Sequence, residues 1–230
     1  MSLTAKEKSG ADLEPIPAGV YVAVCYGLID LGTHHNATFG NEAHKVLIQW
    51  EVPDVRGDFE RDGEKVNLPR AISRRYTLSL SEKANLRRDL ESWRGRKFTA
   101  AELSGFDLKA ILGTACQLQV THDTNKEGRT FAAVAAIMAL PRGYKGPKPE
   151  NPLAFFSFEE EGDKPTMPPD LPEWVQKIIA ESREWKAAGG TMPPANAPEA
   201  TQAGGPTATA ATPATAPATA DADDDDPIPF

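Results

Sequence analysis

Runs of alternating apolar and polar residues recur along the first 140 positions, broken once by a helical period. The run Gly19-Val20-Tyr21-Val22-Ala23-Val24-Cys25-Tyr26-Gly27-Leu28-Ile29 is β-branched and aromatic and is bounded by turn formers, so it predicts a strand. Residues 32–42 carry glycine and asparagine without periodicity and read as a long loop. His44 to Val52 predicts a second strand, stopped by Pro53. The charged residues 54–69, with Gly57 and Gly63, read as a second long loop. Arg74 to Leu80 alternates and predicts a third strand.

The period then changes. Ser81 is placed to cap a helix, with Glu82 in its first turn. Leu86, Leu90 and Trp93 recur at i, i+4 and i+7 and form one apolar face, and Gly95 follows as a stop. Thr99 and Glu102 have the spacing of a capping box for a short helix, Thr99 to Leu103, and residues 107–112 fit one further turn. Thr114 to Thr121 alternates again as a fourth strand. Asp123 to Gly128 is a turn, and Arg129 to Leu140 is a fifth strand ending at Pro141.

Three strands, a helical insert and a two-strand hairpin make up the element order of an OB-fold. That fold is a mainly β, five-stranded Greek-key barrel with a helix between strands three and four. A small sandwich or an SH3-like barrel shares part of the order; the helix after the third strand favours the OB-fold. The expected organisation is an N-terminal leader at 1–18, the barrel at 19–141 and an extension at 142–188. In the extension, the apolar run Leu153 to Phe158 packs back on the barrel. A helix follows from Asp170 to Ala188, with Asp170 as cap, Pro172 in its first turn and Trp174, Ile178, Ile179 and Trp185 as a core stripe. Residues 189–220 are Ala, Thr, Pro and Gly, which bury too little apolar surface to offset chain entropy; this is a disordered linker. An acidic tip, residues 221–230, closes the sequence.

Charge changes the picture more than composition does. The 230 residues carry a formal net charge of −8, but the sign alternates along the chain. Residues 65–148 hold 16 basic and 7 acidic side chains, whereas residues 1–64 hold 5 and 11. Residues 149–188 hold 4 and 9, and no Lys or Arg follows Gly189. A basic middle between acidic ends attracts polyanions and supplies its own competitors. No apolar run approaches the roughly 20 residues that cross a bilayer, and the polar start Met1 to Lys8 does not read as a signal peptide. A cytoplasmic protein without a membrane partner is expected. Cys25 and Cys116 sit in apolar runs and read as small buried residues; a disulfide between them would need their strands to pair. With no CxxC and with His34, His35, His44 and His122 scattered, no metal or other cofactor is expected. A P-loop, a nucleophile elbow and an HExxH motif are all missing, so the sequence does not read as an enzyme.

The tip reads Asp221-Ala222-Asp223-Asp224-Asp225-Asp226-Pro227-Ile228-Pro229-Phe230. It resembles the tail tip of bacterial single-stranded DNA-binding proteins, which is Asp-rich and ends in Ile-Pro-Phe; Pro227 is an extra residue. A ring for a pocket behind a run of carboxylates for a basic rim suits a protein partner. Residues 76–121, and above all the stretch from Tyr76 through Ser81, Leu86, Leu90 and Trp93 to Arg96, resemble bacteriophage proteins taken to be OB-fold single-stranded DNA-binding proteins. That likeness reaches over residues 15–190. It implies a phage-encoded protein in the bacterial host cytoplasm that coats single-stranded DNA in replication, recombination or repair. The tip (Asp223, Asp224, Asp225, Asp226, Pro227, Ile228, Pro229 and Phe230) would recruit replication or recombination proteins.

Binding single strands without sequence preference takes cations along the backbone and aromatic faces for bases. The basic candidates are Arg70, Arg74, Arg75, Arg94, Arg96 and Lys97; the aromatic ones are Phe39, Trp50, Tyr76 and Phe131. Arg74, Arg75 and Tyr76 lead, because two adjacent arginines on a strand cannot both face a core. Two other functions remain open: a recombination mediator or strand-annealing protein, and an adaptor whose barrel binds no DNA.

Overall fold

In the computed structural model, which describes residues 14–36, 40–61, 64–126 and 128–190, the alternating runs become strands of one antiparallel sheet. These are β1 (Gly19–Asn36), β2 (Asn41–Arg61), β3 (Glu64–Thr77), β4 (Ala115–Thr124) and β5 (Thr130–Met138), paired in the order β3-β2-β1-β4-β5. Alternation sends Val46, Ile48, Trp50 and Val52 of β2 to one face with Cys25 and Leu28 of β1, Ile72 and Tyr76 of β3, Leu118 of β4 and Ile137 of β5. Each such aliphatic side chain taken from water contributes roughly 1.5–3 kcal/mol. The sheet curls around this core as a half-barrel. Bulges help the curl, because an extra residue on one strand increases its twist. In β1 the register slips between Cys25 and Gly27 and again between Asp30 and Gly32. Gly27 is needed there: a Cβ would lie 2.4 Å from Oε1 of Gln49. Gly32 has φ +76°, the left-handed region that favours glycine.

The helix α1 (Asn85–Arg94) fits between β3 and β5, the two ends of the strand order. It buries Leu86, Leu90 and Trp93, the three positions its period predicts. On one side the Tyr76 hydroxyl donates to Asp89 at 3.0 Å. On the other, the Ser92 hydroxyl donates to the Ile137 carbonyl at 2.6 Å, and the Ala139 amide donates to the Ser92 carbonyl at 3.1 Å. The helix begins later than the sequence implies: Ala84, not Ser81, is at its N-cap. Gly95 ends it with φ 66°. The Thr99–Glu102 capping box is present on α2 (Ala100–Leu103), and a 3-10 turn spans Leu108–Ile111.

In their described residues, both long loops expected from the sequence are almost entirely strand. The hairpin β1–β2 stays paired through Thr33↔His44 to Asn36↔Asn41. The hairpin β2–β3 stays paired through Arg56↔Pro69 to Arg61↔Glu64. A ladder is made by backbone groups and needs no apolar side chain, so polar arms that project from the core lose the pattern without losing the pairing. Pro53 does not stop β2, because the register slips between Val52 and Arg56 and the ladder resumes beyond it.

The outer face of β1 and β2 is buried as well. Ile29, Leu31 and Leu47 pack against Phe156, Met167, Leu171, Val175, Ile179 and Trp185 of the chain that follows the barrel. That chain forms β6 (Ala154–Phe156), parallel to β1, then α3 (Phe158–Glu161), α4 (Glu173–Glu181) and α5 (Arg183–Ala188). The single helix expected over 170–188 is two, because the backbone of Ser182 turns extended (ψ 156°) and its hydroxyl caps α5. Polar contacts hold the covering in place. The fully buried Glu51 carboxylate accepts from the amides of Glu150 (2.6 Å) and Asn151 (2.8 Å) and from Asn151 Nδ2 (2.7 Å). Glu184 accepts from the amide and hydroxyl of Thr33 at 2.6 and 2.7 Å. Burial opposes its ionisation, but these hydrogen bonds outweigh burial and hold the carboxyl down at about 2. His44 Nε2 lies 2.6 Å from Asp30, a hydrogen bond that raises the imidazole pKa against the cost of burial.

Candidate nucleic-acid interface

The leading trio sits on β3, opposite β2 in the register Ile48↔Arg74, Leu47↔Arg75 and Val46↔Tyr76. Strand alternation puts Arg74 and Tyr76 on the face that meets α1. Arg74 Nη1 donates to Asp89 Oδ2 at 3.0 Å and to the Val134 carbonyl at 3.3 Å, with its guanidinium 5.2 Å over the Tyr76 ring. The Tyr76 residue is 1% exposed, and its hydroxyl meets the same Asp89 oxygen. Arg88 reaches the other oxygen at 3.2 Å. Asp89 thus gathers two arginines and a phenol in a mostly dry site. Strand alternation carries Arg75 to the opposite face, where it is half-buried.

A second cluster forms where α1 ends. The Arg94 guanidinium sits over both rings of the edge-on Phe98–Phe106 pair (4.5 and 4.9 Å) and bonds Glu102 through Nη2. Arg96 grips both Glu102 oxygens, at 2.7 and 3.0 Å. Hydrogen bonds from Arg96 and then from the Thr99 amide hold the Glu102 carboxyl far below the usual carboxylate range. Arg70, on β3, is half-buried and donates to the Glu14 carbonyl at 2.8 Å; burial lowers its pKa. Of the basic candidates, Lys97 is exposed, and its side chain makes no hydrogen bond or ion pair among the described residues.

Among the described residues, the aromatic candidates Trp50, Tyr76 and Phe131 do not form a stacking surface. Trp50 is 0% exposed, with its ring 6.0 Å from that of Trp93; Phe131 is 4% exposed. Trp50 and Tyr76 are core, because their strand parity is that of the half-barrel interior; Phe131 is buried too, but on the parity opposite to the interior residues Ala132 and Val134. A base cannot reach any of the three in this conformation. Phe39 lies outside the described residues, as does the tip, Asp223 to Phe230.

No candidate contact residue falls in the Pro-rich residues 141–152, which include Pro141–Pro149. Arg142, Lys145 and Lys148 are exposed here and make no ion pair among the described residues, and Tyr144 is 52% exposed. No Asp or Glu occurs from residue 128 to residue 149. The segment leaves β5 beside the end of α1: the Ala139 amide is on Ser92, and a Cβ on Gly95 would lie 3.6 Å from that of Ala139. Arg96 and Lys97 start from the same junction. The signal was legible as Arg-Gly-Tyr-Lys-Gly-Pro-Lys, an aromatic interleaved with cations.

No family model and no curated protein matches this chain. What the site can do therefore rests on its own chemistry. Among the described residues no three His, Cys, Asp or Glu side chains gather as metal ligands, and no helix is long and apolar enough to cross a membrane. Cys25 and Cys116 lie on paired strands, buried and free; burial pushes the Cys25 thiol up to about 12. By contrast with the basic junction, the hairpin arm from Asp54 to Glu64 has five acidic residues and two arginines. One of these, Arg56, is held by both oxygens of Glu150 at 2.9 and 3.0 Å. The sequence of that arm is therefore net acidic, whereas residues 128–149 carry cations and no carboxylate side chain.

Proposed function

We propose that this protein binds single-stranded DNA without sequence preference, on an OB-fold barrel, and coats it during replication, recombination or repair. The observation that carries the reading is the group of exposed cations at one end of the half-barrel: Lys97, Arg142, Lys145 and Lys148. Cations without carboxylate partners retain their charge for phosphates, and neutralising phosphates is what supplies non-specific affinity. The sheet order, with a helix between the third and fourth strands, supports the OB-fold assignment. The acidic tip supports a role in recruiting replication or recombination proteins. Its carboxylates compete for the same cations when no DNA is bound.

The test is a comparison of labelled oligo(dT) with a duplex of equal length at fixed salt. The reading expects the single strand to bind far more tightly, because its bases are free to stack. Equal affinity for both would contradict it.

A further inference from the structure

We propose that Arg142–Lys148 is the stacking platform of this interface. Tyr144 presents its ring to a base of a single strand, while Arg142, Lys145 and Lys148 neutralise the phosphates on either side. The inference rests on the single-strand reading above, and it moves the aromatic contact from the barrel strands to a segment beyond them.

Three features carry it. First, the segment is anchored at both ends, so the ring is displayed on a preformed support. The Tyr144 amide donates to the Pro141 carbonyl at 3.0 Å, closing a turn through Gly143 with φ +83°. Gly146 then passes so close to β4 that a Cβ would lie 2.2 Å from that of Ala115. Two residues beyond Lys148, the amides of Glu150 and Asn151 are fixed by the buried Glu51. A contact displayed in place loses less entropy on binding than one on a free loop. Second, the ring is not used to pack the fold, since it is 52% exposed and its neighbours in the segment are glycine, proline and cations. Third, no carboxylate lies within the segment to divert the three charges. A ring on such a turn offers a face and not a pocket. A nucleobase needs only a face, whereas the anchor side chain of an acidic peptide needs a pocket; this favours nucleic acid over a peptide.

The experiment uses the full chain and fluorescein-labelled oligo(dT), with anisotropy titrations at fixed salt. Base stacking on an aromatic is lost on truncation to alanine at a cost of roughly 5- to 150-fold in affinity. Tyr144→Ala should lose that much, Tyr144→Phe should stay near the wild-type value, and neither should shift the thermal midpoint. Photo-cross-linking with a 5-iodouracil oligonucleotide, followed by mass spectrometry, should place the adduct on Tyr144. If wild type binds oligo(dT) while Tyr144→Ala binds equally well and the adduct falls elsewhere, the platform is wrong and the single-strand reading stands. If wild type fails to bind oligo(dT), the single-strand reading falls and the platform with it. Binding of polyglutamate, but not oligo(dT), that is lost in Tyr144→Ala would also overturn the proposal and make the segment a protein-docking site.

Discussion

Arg74, Arg94 and Arg96 end on Asp89 and Glu102, whereas Arg142, Lys145 and Lys148 make no ion pair among the described residues. Both groups belong to the basic middle of the chain and count equally in its charge. The difference lies in their company. Arg74 and Arg94 are pressed into the junctions of α1 with β3 and with the Phe98–Phe106 pair, where a bare guanidinium would be costly; carboxylates and rings compensate them. The cations of 142–148 sit on a tight segment with no acid within it. A linear count of charges therefore overstates the surface available to a polyanion. What matters is which cations are already committed to the fold.

The comparison predicts a clean division of effects. The largest falls on stability. Asp89→Ala removes the shared partner of Arg74, Tyr76 and Arg88 and leaves the mostly buried Arg74 guanidinium without that counter-charge, which should cost about 3–5 kcal/mol in urea denaturation. Oligo(dT) affinity of the folded fraction should not change. An Asp89→Ala protein of wild-type stability would show that the cluster is not structural. Next comes Tyr76→Phe, which keeps the ring but removes the hydroxyl donor to a charged acceptor. It should destabilise by about 1.5–3 kcal/mol, again without touching affinity. A loss of DNA affinity with unchanged stability would return Tyr76 to the interface.

A smaller effect concerns pH. The folded pKa of His44 is raised by Asp30, so this pair's contribution is full below the ordinary value of 6.5 and is lost as pH rises through the raised value. The thermal midpoint of wild type should fall over that upward window, relative to His44→Gln. Glu184 acts in the opposite sense: its contribution is present above the ordinary 4.5 and is lost as pH falls towards about 2. Because His44 and Glu184 hold the C-terminal covering and not the 142–148 segment, oligo(dT) affinity should show no inflection where His44 titrates. A shared inflection would mean that the two regions are coupled. The smallest effect is that of residues 221–230. Removing their five aspartates should raise oligo(dT) affinity a few-fold at low salt and leave it unchanged at high salt, where screening shortens to about 3 Å at 1 M.

Legibility followed burial. The strands around Val20–Ile29, His44–Val52, Cys116–Val120 and Phe131–Ile137 and the face Leu86–Leu90–Trp93 were readable, because one side of each is packed and the sequence must repeat with its period. The hairpin arms were not, since both of their sides are polar and the ladder is written in the backbone. Period two groups Trp50 and Tyr76 with their neighbours, but it does not say which side is interior; the second core, over Ile29, Leu31 and Leu47, makes both sides of β1 and β2 apolar. Nor does spacing reveal that Asp89 is shared by β3 and α1. Tyr144 stands among cations in the sequence, but composition alone does not say that its ring stays exposed.

The central claim is that the uncommitted cations, not the committed arginines, hold the nucleic acid. The direct measurement is the salt dependence of oligo(dT) affinity for wild type, for Arg142→Ser/Lys145→Ser/Lys148→Ser and for Arg96→Ser. Each phosphate neutralised on a single strand contributes about −0.7 to the slope of log affinity against log salt. The account predicts a slope shallower by about 2 in the triple variant and a change well under one contact's worth in Arg96→Ser, whose charge is held by Glu102. A triple variant with the wild-type slope, or an Arg96→Ser protein that loses as much as the triple, would contradict it.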